Sequence, residues 1–101
     1  MGPVATTIVE QMCGGRTSRL MVMIGAFNFL DHEYGVSFKF RGSKRSNHVE
    51  VTLNASDTYT MTFRKLTNGG LKATTVVKAS FLFWDQLKPV FENETGLRLS
   101  L

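Results

Sequence analysis

Cys13, His32, His48 and the carboxylates Glu50, Asp57, Asp85, Glu92 and Glu94 are the residues from which this chain could build a reaction. A nucleophile needs a base within hydrogen-bond reach and a donor for the oxyanion. Cys13 beside Gly14-Gly15 reads instead as a small packing residue at a helix end. Two histidines and one cysteine, with neither HxxxH nor CxxC spacing, do not make a zinc site. Glu92 and Glu94 diverge on a helix and Asp57 falls in a turn that it should cap, so paired-acid hydrolysis is not expected. Neither glycine pair leads from a strand to a helix with the Lys and Ser/Thr of a phosphate-binding loop. The expectation is a non-enzyme with no catalytic residue, no cofactor and no metal.

Binding chemistry is better supplied. Lys39, Arg41, Lys44, Arg45, Arg64, Lys65 and Lys72 lie in one stretch, residues 35–78, which carries eight of the twelve Lys/Arg against only Glu50 and Asp57. Each flank has a net charge of −1 and the whole chain +4. A concentration of one sign favours an acidic partner. Its centre is Arg41-Gly42-Ser43-Lys44-Arg45, a turn between two alternating runs.

The elements that must position these cations follow from periodicity. Pro3 suits the first turn of a helix, Val4, Ile8 and Met12 form one apolar stripe, and Gly14-Gly15 stops it, giving helix 3–13. Leu20 to Ile24 is apolar without alternation, so a strand over about 18–24 is expected, covered on both faces or buried in a dimer. Gly25 to Tyr34 reads as a connector whose Phe27, Phe29 and Leu30 plug the core. Strict alternation then gives strands at about 35–41, 47–53 and 58–65. Asn68-Gly69-Gly70 is a tight-hairpin signal leading to a fifth strand, 71–78. Phe81, Trp84, Leu87 and Phe91 return to helical spacing over 81–95, with Trp84 expected in the core. Pro89 should kink or divide that helix and Gly96 should end it. Leu97 to Leu101 alternates as a short extended tail. Phe83 and Tyr34 are the aromatics out of register and the best candidates for exposure.

The sum is one α+β domain: an antiparallel meander of four to five strands, with an N-terminal and a C-terminal helix packed on one face. The opposite face would display Ser37, Lys39, Arg41, His48, Glu50, Thr52, Thr60, Thr62 and Arg64, and either Lys72 and Lys78 or their apolar neighbours. At 101 residues, 43% hydrophobic and 20% charged, the chain can bury a core of its own. One cysteine excludes an internal disulfide and fits a reducing compartment. No run is long enough to span a bilayer, and neither a secretory leader nor functional myristoylation at Gly2 is expected. The apolar 20–24 strand or an uncovered sheet edge is compatible with a homodimer.

Gly25-Ala26-Phe27-Asn28-Phe29, Val49-Glu50-Val51-Thr52-Leu53 with Asp57-Thr58-Tyr59, and Phe91-Glu92-Asn93-Glu94-Thr95-Gly96-Leu97 resemble a family of small proteins carried by tailed bacteriophages and related mobile elements. The likeness covers residues 20–101 and brings no assigned catalytic residue. It implies an accessory protein working in the cytoplasm of a bacterial host, where such proteins bind and block host machinery such as CRISPR or restriction systems. The residues and the resemblance together point to a non-catalytic inhibitor of a host protein or nucleoprotein complex with an acidic surface. The alternative is direct nucleic-acid binding through the same cations, with salt-dependent affinity and little sequence preference.

Overall fold

The computed structural model describes residues 2–13, 25–67, 69, 71–97 and 99. Helix α1 (Pro3–Cys13) is followed by strands β1 (Phe27–His32), β2 (Gly35–Lys39), β3 (His48–Leu53), β4 (Tyr59–Thr67) and β5 (Lys72–Leu82). A single 3₁₀ turn (Trp84–Gln86) then leads into helix α2 (Leu87–Thr95). The strands form one sheet in the order β1-β2-β3-β4-β5, every pair antiparallel. The chain is therefore the expected α+β meander.

Alternation decides which face is buried. Val36, Phe38, Phe40, Val49, Val51, Met61 and Phe63 are essentially inaccessible and meet Ala5, Ile8, Val9 and Met12 of α1 and Leu87 and Phe91 of α2. Phe91 is the hub. Its ring lies 5.1 Å from that of Phe40, 6.0 Å from Phe63 and 6.5 Å from Phe38, within the range of favourable tilted and edge contacts. The amide of Gly2 donates to Asp31 Oδ2 (2.8 Å), which ties the start of α1 to β1.

Three expectations are corrected. The 25–34 connector contains strand β1: a bulge between Phe27 and Leu30, with Asn28 at φ 55°, breaks the alternation that would have marked it. Second, β5 runs on to Leu82 because Phe81, at φ 57°, carries the chain through a bulge that lets Leu82 pair with Tyr59. That holds Phe81 out of any helix. Third, Trp84 is 61% exposed and Phe81 75%, so neither belongs to the core; only Leu87 and Phe91 of that stripe do. Phe83 and Tyr34 are exposed, as their register suggested.

Pro89 lies in the first turn of α2, where no N–H donor is required, and the 3₁₀ turn precedes it. Gly96 ends α2 in the left-handed conformation (φ 76°), its N–H donating to the carbonyl of Glu92 (2.9 Å). Beyond it, Leu99 is buried outside any strand, its N–H bonded to Glu92 Oε2 (2.8 Å). The 18–24 strand and the Gly14-Gly15 stop lie outside the described residues.

Candidate functional site

The face away from the helices is polar, and the register shows how its residues line up. Ser37, Glu50, Thr62 and Lys78 form one row, and Lys39, His48, Arg64 and Thr75 the next. Within it, Arg64 Nη1 donates to Glu50 Oε1 at 3.0 Å, and His32 Nε2 lies 2.8 Å from Ser37 Oγ and 3.9 Å from Glu50 Oε2. The contact of His32 with Ser37 and Glu50 was not legible in the sequence, because reading residues 25–34 as a connector left His32 off the sheet.

A serine, a histidine and a glutamate in contact invite comparison with a hydrolytic triad. That geometry requires the acid on one ring nitrogen and the serine on the other, so that the base is held in the right tautomer. Here the same Nε2 faces both. Ser37 is also only 3% exposed, so no substrate carbonyl can approach its oxygen. The cluster is a packed polar network that satisfies buried groups. His48, half-buried in the next row, has its pKa lowered by burial first and by the Arg64 guanidinium second, with Glu50 opposing. It is therefore neutral near pH 7.

The seven cations do not form one surface. Arg64 is engaged by Glu50, and Arg45 Nη2 lies 3.9 Å from Glu94 Oε2. Lys65 and Lys72 follow the alternation onto the helix side, at the far end of the β4–β5 hairpin. Lys39, Arg41 and Lys44 gather at the β2–β3 loop without an acidic partner among the described residues. Arg41 stacks on the Phe27 ring (4.6 Å to its centroid), an arrangement that holds the guanidinium without neutralising it. Lys39, Arg41, Phe27, Ser43, Asn47 and Leu66 line an open cavity of about 460 Å³.

The loop is not a simple hairpin end. Asn47 uses its side chain as a strand residue would: Nδ2 donates to the carbonyl of Leu66 (2.9 Å) and Oδ1 accepts from its N–H (2.7 Å). The backbone N–H of Asn47 donates to Arg64 and its carbonyl accepts from Phe40, both at 3.0 Å. The base of the loop is thus fixed on two strands while Arg41, Lys44 and Arg45 remain exposed.

The carboxylates have structural uses or stand apart. Glu92 bonds Leu99 as described. At the β3–β4 turn it is Asn54, not Asp57, that organises the chain, donating to Thr58 Oγ1 and accepting from Thr60 Oγ1, both at 3.2 Å. Asp57 occupies the left-handed region (φ 62°). Among the described residues no three His, Cys, Asp or Glu side chains are grouped to hold a metal, and no helix is long and apolar enough to cross a membrane. No protein family, curated protein or solved structure matches the chain.

Proposed function

We propose that this chain is a non-catalytic binding protein that docks an acidic surface of a partner protein or nucleoprotein complex through Lys39, Arg41 and Lys44. This is how a phage-type accessory protein would block a host defence machine in the bacterial cytoplasm. The observation that carries the reading is the difference between engaged and free cations. Arg64 and Arg45 are engaged by Glu50 and Glu94, whereas Lys39 at the end of β2 and Arg41 and Lys44 on the anchored β2–β3 loop have no described acidic partner. Exposed charges held together at one place steer association and set specificity.

Direct binding of single-stranded nucleic acid has its own support, the Phe27 ring under Arg41 beside Lys39 at the cavity mouth. Co-purification from a bacterial lysate with and without nuclease separates the two readings. A protein partner survives nuclease and is lost when Lys39, Arg41 and Lys44 are all changed to Glu. A nucleic-acid partner disappears with nuclease, and its log K against log salt slope, near −0.9 per phosphate contact, shrinks in the same variant. Retention of the partner by the triple variant would refute the proposal.

A further inference from the structure

The β5 edge is the largest feature that the loop leaves unexplained. This strand is 11 residues long and no described strand pairs with its outer side. Leu71 is 91% exposed, and the chain around Leu82 presents Phe81 (75%), Phe83 (60%) and Trp84 (61%). Phe81 holds its exposed ring at positive φ, which is costly for a bulky side chain and is kept where something overrides the cost. Lys72, Lys78 and two bulges guard the edge against indiscriminate pairing. They do not account for the aromatics.

We infer that β5 pairs antiparallel with β5 of a second copy of this chain, making a two-fold dimer with a continuous sheet. Three features specify a second copy as the occupant. The first is register. With Val76, the residue left over at one β4–β5 bulge, on the two-fold axis, Lys78 faces Thr74 of the second copy, and Leu71 and Lys72 come beside the second bulge, which carries Phe81. Moving the axis to Thr75 would set Lys72 against Lys78, a directly opposed like-charge pair that is disfavoured.

The second is charge. The Leu82 end of the sheet carries Asp31, Glu33, Asp57 and Asp85 with no Lys or Arg in residues 29–37, 51–61 or 79–87. The Lys72 end carries Lys39, Arg41, Lys44, Lys65 and Lys72 with no acid in 38–49 or 62–75, besides Arg45 and Arg64, which Glu94 and Glu50 engage. An antiparallel two-fold lays each acidic end beside the basic end of the other copy. The third is area. A large aromatic side chain buries about 150–250 Å². Covering Leu71, Phe81, Phe83 and Trp84 in both copies therefore removes on the order of 1,000 Å², the lower limit for a specific interface. The β2–β3 loop remains free in this dimer, so partner binding does not depend on it.

Sedimentation velocity over a dilution series of the full chain should show a reversible dimer with Kd of about 1–10 µM. A species that stays monomeric up to about 0.5 mM would overturn the inference. Leu71→Asp with Phe81→Asn changes only exposed side chains, and Asn tolerates positive φ. This variant should keep the wild-type circular dichroism spectrum and dimerise at least tenfold more weakly. An unchanged Kd would place the contact elsewhere and refute it. In a Cys13→Ser background, Val76→Cys should give a disulfide-linked dimer under mild oxidation. Failure to cross-link in a chain that still dimerises would equally refute the pairing.

Discussion

The two ends of the sheet are built from the same kind of element, turns between antiparallel strands, yet they carry opposite chemistry. At one, the β2–β3 loop is pinned by Asn47 and displays Arg41 and Lys44, with Lys72 at the neighbouring hairpin. At the other, the β1–β2 and β3–β4 turns and the exit of β5 display Glu33, Tyr34, Asp57, Phe81, Phe83 and Trp84. Along the chain, residues 35–78 read as one basic block. The meander reverses direction at every turn, so Asp57, in the middle of that block, is carried to the end away from Lys44. A charge asymmetry invisible as sequence becomes a polarity of the molecule.

That polarity requires a rigid body between the ends, and Phe91 is where to break it. Phe91→Ala removes a fully buried ring in contact with Phe38, Phe40 and Phe63 and should cost about 3–5 kcal/mol in urea unfolding. Trp84→Ala, measured alongside at concentrations where the chain is monomeric, should cost under about 0.5 kcal/mol, as for an exposed side chain. Equal losses would place Trp84 in the core after all. A loss between these two should follow Gly35→Ala. A Cβ there would run into the carbonyl oxygen of Val51, and the neighbouring backbone of β3 cannot yield cheaply. Overpacking of this kind costs about 1–3 kcal/mol, read as a lowered urea midpoint at unchanged slope.

Much of this was legible beforehand. Wherever alternation is unbroken, as from Val36 to Phe40 and from Val49 to Leu53, strands and buried face follow from the period of two. Gly96 announced the end of α2, which its left-handed cap bears out. Legibility failed where a bulge intervened. A single extra residue shifts the period, which concealed β1 behind Asn28 and turned the Phe81/Trp84 spacing into a false helical stripe. Which cations are paired was hidden for a different reason. Charge could be counted along the chain, but engagement by Glu50 and Glu94 depends on partners 14 and 49 positions away.

Charge reversal sharpens the comparison of the two ends directly. Lys39→Glu, Arg41→Glu and Lys44→Glu together should weaken partner binding at least tenfold, about 1.4 kcal/mol, mainly through a slower association rate and less so at high salt. Asp57→Lys with Asp85→Lys, a reversal at the opposite end, should leave the same affinity within about threefold. Surface plasmon resonance at two salt concentrations reads both. If the acidic-end variant loses as much, the partner recognises overall charge rather than the loop.

The smallest effect concerns His48, which sits on the polar face between Lys39 and Arg64 and so belongs to the basic end. Its Nδ1 has no hydrogen-bond partner among the described residues, and burial together with Arg64 lowers its pKa below 6.5. A base whose folded pKa lies below its unfolded value binds protons more readily when unfolded. The neutral ring therefore carries no penalty above about pH 6.5, and stability falls as pH drops from there toward the lowered folded value. Protonation would also set a third cation beside Lys39 and Arg64, so the strain is local to one end of the sheet. His48→Gln keeps a neutral polar side chain and removes the titration. Between about pH 7.5 and pH 5 the melting temperature of the native chain should fall more steeply than that of the variant. Identical slopes would show that the acid sensitivity of this fold does not arise at His48.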